Sequence, residues 1–285
     1  MEGRTRRRLI APLLGLALLG AAGLPHQDGT FALLGGSQKI ASRMTVKQHG
    51  LSTTIKVHQF YHDGVTPILK YDPQFTKYMH VVVVSDDFST FQHLHPDYNL
   101  QTGSFSTSFN QTAGHKYYVY ADSDPHDLGQ QVFRFTLQSD GPEATPHPSL
   151  AASATTAQAG PYTVILSETT IKANQPHTFA LTVDKDGKAA GDLVPYLGAA
   201  AHCVFIGASS LQYVHVHPTL KGQSMPDMSN MSTAEKLEHS INAEAGPHMQ
   251  MTLPALPAGV YKAWVEFEAG PTIEKYDAPF TIVAQ

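Results

Sequence analysis

The chain has few cysteines and few charges. It contains a single cysteine among 285 residues, which excludes an intrachain disulfide framework and zinc sites built from four cysteines. Charged residues make up 15% of the chain, against about 25% in typical globular domains. The net charge is -5, so a nucleic acid partner is not expected. No long amphipathic helix is visible, which excludes a helical bundle.

The chain is rich instead in side chains that bind soft and borderline metals. It has 16 histidines and 8 methionines, and imidazole and thioether groups are ligands for copper and related ions. Most of these histidines are expected on the surface as ordinary polar residues. A length of 285 residues favours two domains.

The first 24 residues have the layout of a secretory signal peptide. Arginines at positions 4 and 6–8 precede an apolar run from 9 to 24, with small residues near its end. The run is short for a membrane-spanning helix, so a membrane association is expected only if the segment stays uncleaved. The arginines fit either a Sec or a twin-arginine signal. The expected location is the bacterial periplasm or the exterior of the cell.

A histidine pattern occurs twice. Residues 78–96 read Y-M-H-V-V-V-V-S-D-D-F-S-T-F-Q-H-L-H-P, and residues 200–218 read A-A-H-C-V-F-I-G-A-S-S-L-Q-Y-V-H-V-H-P. Each copy has one histidine, an apolar run, a polar turn and His-x-His-Pro. The first histidine precedes the second by thirteen residues in both copies. An apolar run followed by turn residues predicts a β-hairpin.

The segments around each hairpin also repeat. Gly114 precedes Phe135 by 21 residues, and Gly259 precedes Phe280 by the same number. Short strand-like segments with turn signals every 8–15 residues predict two tandem Ig-like antiparallel β-sandwiches, with a barrel as the alternative. The predicted parts are a signal peptide at 1–24, an N-terminal tail at 25–43, the first sandwich at 44–138, a linker at 139–160, and the second sandwich at 161–285 with a Met-rich insertion at 220–245.

The spacing of the histidines predicts a three-imidazole metal site in each copy. Side chains on a strand alternate between faces, so the two histidines of His-x-His share a face. The lone histidine joins them when it lies opposite either one, which requires a turn near Asp86–Asp87 in the first copy. Three histidines without a fourth protein ligand suit copper, with zinc as the second candidate. The predicted ligands are His202, His215 and His217, and then His80, His93 and His95.

Two further sulfur-containing groups bear on the metal. Cys203 follows His202 directly and so points to the opposite face, where we expect a buried thiol and no blue-copper centre. The methionines of the insertion lie in a polar loop, where burial in a core is not expected. Met225, Met228 and Met231 are therefore predicted as additional Cu(I) ligands, and the alternative is that they cap the end of the sandwich.

Four motifs of the second copy form a recognisable set. They are P-Y-L-G-A-x-x-H at 195–202, His-x-His-Pro at 215–218, G-x-Y-K-x-W-V-x-F at 259–267 and A-P-F at 278–280. This set resembles exported bacterial proteins with Ig-like domains of the YtkA-like or heavy-metal-binding type. The resemblance covers most of residues 175–285, and the first copy follows the pattern more loosely. It implies periplasmic handling of metal ions, mainly copper, without established catalysis.

These observations favour a copper-binding protein for sequestration or transfer. The expected partners are the metal ion and a periplasmic copper transporter or oxidase. An enzyme is not expected, because no Glu-His or Asp-His constellation near the motifs offers a general base, and Asp86 and Asp87 belong to the turn. The alternatives are a three-His metalloenzyme, such as a zinc hydrolase or a copper oxidase, and an Ig-like adhesion or scaffold module without metal.

Overall fold

The structure is a computed structural model that describes residues 27–139, 150–224 and 231–285. It consists of two β-sandwiches in tandem, which confirms the predicted all-β, Ig-like fold class. In the described ranges, strands pair antiparallel except for one parallel pair at the C-terminal edge. No helix of these ranges is long and apolar enough to cross a membrane.

The first sandwich has two sheets, in the order β1-β3-β4-β9-β8 and β2-β11-β10-β6-β7, with β5 paired to β10. Its strands are β1 Gln27–Asp28, β2 Thr30–Phe31, β3 Ala41–His49, β4 Ser52–Phe60, β5 Tyr71–Asp72, β6 Met79–Ser85, β7 Phe91–Leu94, β8 Asp97–Asn99, β9 Ser104–Asn110, β10 Lys116–Pro125 and β11 Gln131–Gln138.

The second sandwich also has two sheets, in the order β12-β13-β15-β21-β20 and β14-β23-β22-β18-β19, with β16 on β15 and β17 on β22. Its strands are β12 Thr156–Ala159, β13 Tyr162–Leu166, β14 Thr170–Ile171, β15 His177–Lys185, β16 Lys188–Ala189, β17 Leu193–Val194, β18 His202–Gly207, β19 Tyr213–Val216, β20 Thr219–Leu220, β21 His248–Leu253, β22 Gly259–Ala269 and β23 Glu274–Ala284.

Segments outside the expected sandwich boundaries also carry strands. Strands β1 and β2 lie in the expected tail and pair with β3 and β11. The chain then bridges to the second sandwich, where Ala32 and Leu34 exchange backbone hydrogen bonds with Tyr213. Strand β12 lies in the expected linker and pairs with β13.

Each sandwich has its own core, made by alternate residues of the facing sheets. On β6, Met79, Val81 and Val83 point into the first core. On β18, Cys203 and Phe205 point into the second. The alternation of a strand therefore leaves the histidines of these strands on the outer faces.

The outer faces of β6 and β18 pack against each other. Val82 and Val84 join Val204 and Ile206 in a third apolar cluster that spans the two sandwiches, and all four are 0% exposed. Both faces of these two strands are therefore buried. This explains why their sequences read as continuous apolar runs rather than as an alternating pattern.

The insertion of the second sandwich contains the helix α1, Thr233–Ile241. Its N-terminus has a capping box, in which the Ser232 hydroxyl accepts from the backbone of Glu235 and the Glu235 carboxylate accepts from the backbone of Ser232. The helix reaches the first sandwich, because Thr233 donates to Asp72 at 2.8 Å. The insertion thus connects the two sandwiches a second time.

Trp264 is the single tryptophan of the chain and reports on this packing. It belongs to the second sandwich, is 3% exposed, and stacks on Phe91 of the first sandwich with ring centroids 4.4 Å apart. Replacing Phe91 by Ala should shift the Trp264 emission to longer wavelength and cost roughly 1–3 kcal/mol of stability. Fluorescence and thermal unfolding measure both effects. Leu100→Ala, at a position 74% exposed, is the control; an unchanged emission in Phe91→Ala contradicts the interface.

Candidate metal centre

The two hairpins place their histidines by register. Val82 lies opposite His93 between β6 and β7, so the continued register sets His80 opposite His95. Val204 lies opposite His215 between β18 and β19, which likewise sets His202 opposite His217. In the first copy this is the second of the two registers open from the sequence. The two registers differ by two residues on the partner strand, and side chains two residues apart lie on the same face of a strand. All three histidines of each copy therefore still lie together.

The two predicted trios meet at the interface between the sandwiches. The ring centroids of His80 and His215 lie 5.1 Å apart, and those of His93 and His215 lie 5.4 Å apart. His80 and His202 are 5.7 Å apart, although 122 positions separate them in the chain. The structure therefore brings both trios into one six-histidine cluster, where the sequence predicted one site in each domain.

Within the first trio, the rings of His80 and His93 form a row. His80 Nδ1 lies 2.9 Å from His93 Nε2, and His80 Nε2 lies 3.3 Å from the Gln74 carbonyl oxygen. The other end of the row is a carboxylate of the second sandwich. Glu266 Oε2 lies 2.5 Å from His93 Nδ1, and both side chains are 0% exposed.

The second trio repeats the row. His202 Nδ1 lies 3.1 Å from His215 Nε2, and His202 Nε2 lies 3.1 Å from the Tyr196 carbonyl oxygen. The carboxylate at its end comes from the first sandwich, since Asp122 Oδ2 lies 3.2 Å from His215 Nδ1. Each row therefore ends on a carboxylate supplied by the opposite sandwich.

The outer partners determine which nitrogens carry hydrogen in the first row. The Glu266 carboxylate can only accept, so His93 donates from Nδ1, and the Gln74 carbonyl likewise takes a hydrogen from His80 Nε2. Neutral rings then have no hydrogen left for the contact between them. The lone pairs of His93 Nε2 and His80 Nδ1 face each other, and the same reasoning applies to His215 Nε2 and His202 Nδ1.

Facing lone pairs at these distances fit a shared cation. Two nitrogens bound at about 2.0 Å to one ion, with an angle of about 90–110° between them, lie about 2.8–3.3 Å apart. The observed 2.9 Å and 3.1 Å fall within that range. Each row therefore has the geometry of a two-nitrogen clamp.

The third histidine of each trio has a buried nitrogen without a partner. In the described residues, His95 Nε2 and His217 Nε2 are buried and make no hydrogen bond. The His95 ring lies 5.0 Å from His80 and 4.9 Å from His93. One ring nitrogen from each of these three residues lies within 4.8 Å of the others, and the same holds for His80, His202 and His215.

Burial keeps most of the cluster neutral. It lowers the pKa of His80 to about 4 and that of His95 to about 2, with neighbouring histidines adding to the effect. The pKa values of His93, His202 and His217 are also well below the usual range, first because of burial. Neutral imidazole is the form that binds metal ions.

Asp122 stays ionised in this buried setting. Burial by itself raises its pKa, but the interactions with His215 and His80 and the hydrogen bond from Gln130 outweigh burial, so the pKa is lowered. Its second oxygen accepts from Gln74 at 3.1 Å and from Gln130 at 2.9 Å. The second oxygen of Glu266 accepts from Lys275 at 2.8 Å.

A cavity leads from the surface to the second trio. It has a volume of about 380 Å³. Its lining combines both sandwiches and the helix: Pro73, Gln74, Phe75, Asp124, Gly129, Gln130, His215, His217 and Lys236. The Phe75 ring covers His217 with centroids 3.9 Å apart. His215 and His217 are therefore the members of the cluster nearest to solvent at this cavity.

The sequence did not reveal the two carboxylates. Asp122 pairs with His80 across β10 and β6, and Glu266 pairs with His202 across β22 and β18, so they occupy equivalent positions. Asp122 lies eight residues after Gly114, whereas Glu266 lies seven after Gly259. The equal Gly–Phe spacing concealed this one-residue difference. The available signal was the pair of acidic residues inside each long strand, Asp122 and Asp124 in β10 and Glu266 and Glu268 in β22.

The structure describes Cys203 and one of the three methionines that were predicted as copper ligands. Cys203 is 0% exposed and belongs to the core of the second sandwich, which confirms that it points away from His202. Met231 is half-buried one position before the helix cap, and it is not among the residues that line the cavity at His217. Met225 and Met228 lie outside the described residues.

Comparisons with known proteins give a family and a distant structural likeness. No curated protein sequence matches the chain. The crystal structure of chicken CNTN1 FN1-FN3 domains is similar at 7% sequence identity and a TM-score of 0.20, covering 92% of this chain and 100% of that chain. A TM-score this low adds nothing to the fold assignment, which rests on the sheets described above. The family described as "Domain of unknown function (DUF8832)" matches residues 39–141 and 155–285, and the chain belongs to this family.

Proposed function

We propose that this protein binds copper at the interface of its sandwiches and serves in copper sequestration or transfer. The observation that carries the proposal is the pair of clamps, His80–His93 and His202–His215, with ring nitrogens 2.9 Å and 3.1 Å apart. Each clamp has a third histidine of the same trio beside it, with a buried nitrogen that has no partner among the described residues. Buried polar atoms without partners are rare and costly in a folded protein.

A hydrogen count supports a cation in each row. The row from Glu266 through His93 and His80 to Gln74 has three close contacts. Each contact joins two atoms that can accept a hydrogen bond, so each needs one hydrogen between them. Two neutral imidazoles supply two hydrogens. The third contact needs either an added proton or a metal ion between the rings. A metal ion also uses the free nitrogen of the third histidine, which a proton in the row does not.

The ligand type favours copper, with zinc as the second candidate. Neutral imidazole suits copper, zinc and nickel, whereas calcium and magnesium prefer oxygen ligands. Divalent copper binds a given set of nitrogen ligands more tightly than zinc does. Each clamp is backed by a carboxylate on the outer nitrogen of one ring, an arrangement that orients histidine ligands in metal sites.

The cavity at His215 and His217 suits exchange of the ion with a partner. It opens beside the helix of the insertion, where Lys236 pairs with Asp72 and Asp124 at 3.3 Å and 3.4 Å. A periplasmic copper transporter or oxidase is the partner that we propose. The proposed location, the periplasm or the exterior of the cell, rests on the signal-like residues 1–24, which lie outside the described ranges.

Metal analysis tests the proposal directly. The purified protein should bind at least one copper ion per chain, measured by competition with a chromophoric chelator for Cu(I), Cu(II) and Zn(II) in turn. His95→Gln with His217→Gln should weaken copper binding on the order of 100-fold, because each clamp loses its third nitrogen. His49→Gln with His62→Gln, at exposed positions, is the matched control. Less than one bound ion per chain, or equal binding by the two double variants, contradicts the proposal.

The thiol should be absent from the copper site. Cys203→Val introduces the residue that occupies the equivalent position, Val81, in the first sandwich. We expect unchanged copper affinity, because the side chain lies in the core on the opposite face of β18 from His202. The Cu(II) protein should also lack the intense blue absorption of a copper–thiolate bond. Blue colour that disappears in Cys203→Val would place the thiol on the metal.

A further inference from the structure

We infer that the six histidines form one two-ion centre in which each ion depends on a carboxylate from the opposite sandwich. The inference rests on the proposed function and adds the number of ions, their proximity and the crossed support. It follows from the equivalence of the two halves, from the pairing of nitrogens within each half, and from the direction of the two carboxylates.

The two halves are built alike. The carbonyl that receives the outer nitrogen lies six residues before the lone histidine in both, at Gln74 and Tyr196. The carboxylate lies opposite the lone histidine on the adjacent strand in both, at Asp122 and Glu266. The ring of the third histidine in the second half, His217, lies 4.5 Å from the rings of both His202 and His215, so the second half offers a counterpart of the first site.

The nitrogens pair within each half rather than across the interface. The clamp contacts of 2.9 Å and 3.1 Å both join histidines of one hairpin. Across the interface, the nearest rings of the clamp histidines, His80 and His215, have centroids 5.1 Å apart. Two clamps, each with its own third histidine, provide six nitrogens, which is three for each of two ions. Three histidine ligands and an open position form a common arrangement for one ion.

The two ion positions must be close together. One ring nitrogen each of His80, His202 and His215 lies within 4.8 Å of the other two, so a ligand of the first half lies beside two ligands of the second. Paired metal sites that act together in proteins commonly hold their ions about 3.5–4 Å apart. Two Cu(II) ions on adjacent rings should interact magnetically.

The carboxylates cross the interface. Asp122 belongs to the first sandwich, but its contact with a histidine of the cluster is to His215 of the second. Glu266 belongs to the second sandwich, but its corresponding contact is to His93 of the first. Asp122 and Glu266 are positioning residues, since each fixes the hydrogen on the outer nitrogen of a clamp histidine and leaves the inner nitrogen free. Removing such a partner typically costs 10–100-fold in metal affinity.

Half-centre variants, which keep only one of the two histidine trios, test whether each carboxylate supports the trio of the opposite sandwich. One parent chain carries His202, His215 and His217 replaced by Gln and keeps the first trio; the other carries His80, His93 and His95 replaced by Gln and keeps the second. Copper(I) affinity is measured by chelator competition in each parent, with Glu266→Gln or Asp122→Asn added. Glu266→Gln should weaken the first trio by 10–100-fold and leave the second within about threefold, and Asp122→Asn should do the reverse.

Two controls distinguish the loss of a carboxylate–histidine contact from a general loss of structure. Lys275→Gln removes the partner of the second Glu266 oxygen and leaves the contact with His93 in place, so it should change affinity less than Glu266→Gln. Circular dichroism and Trp264 emission show whether each variant keeps its strands and its packed interface. If a half-centre parent fails to fold, the full chain is measured with Glu266→Gln combined with either His95→Gln or His217→Gln. The first pair acts on one trio and should leave one ion tightly bound, whereas the second pair should weaken both ions.

The full chain provides the second measurement. Two copper ions per chain are expected, and the Cu(II) form should show a broadened or diminished electron paramagnetic resonance signal relative to either half-centre parent. One ion per chain, two ions with unperturbed independent signals, or a carboxylate effect on the trio of its own sandwich overturns the inference while leaving copper binding intact. Absence of copper binding by the full chain refutes the proposed function itself.

Discussion

The packing of two outer sheet faces against each other is the constraint on which the centre depends. Along β6 and β18, valine and isoleucine side chains form the apolar part of this contact, and His80 and His202 continue the same rows at 0% exposure. Placing imidazoles in such a position is unfavourable unless their polar atoms find partners. Each sandwich supplies backbone carbonyls and facing rings to its own histidines, and a carboxylate to a histidine of the other sandwich.

The reciprocal carboxylates link the integrity of the interface to the state of the histidines. Glu266 is buried, and it accepts hydrogen bonds from Lys275 on one oxygen and from the His93 ring on the other. Separation of the sandwiches would remove the carboxylate contact from both trios at once, Glu266 from His93 and Asp122 from His215. Binding of an ion and docking of the sandwiches are therefore expected to support each other, because a ligand that binds only the docked form stabilises it by mass action.

Much of the fold was predictable because it depends on local pattern. Alternation and turn residues predicted the hairpins, and Ser232 with Glu235 forms the capping box that begins the helix of the insertion. The face of Cys203 followed from its position next to His202. The sequence left two hairpin registers open, which differ by two residues, because the turn residues near Asp86 and Asp87 fit the centre of the turn in both. Backbone geometry decided it, with Phe88 in the left-handed region and its amide donating to the Ser85 carbonyl at 2.9 Å.

The sequence by itself determined the two sandwiches, the repeat and the placement of three histidines on one face of each hairpin, since these follow from the two-residue period of strands. Only the tertiary structure decided that the two faces meet, because contact between them depends on surfaces more than 100 residues apart in the chain. It also decided that Asp122 and Glu266 belong to the centre, since their contacts with His215 and His93 cross between sandwiches. The continuous apolar runs at 81–84 and 203–206 indicate strands buried on both faces, but a run of this kind does not specify what covers its second face.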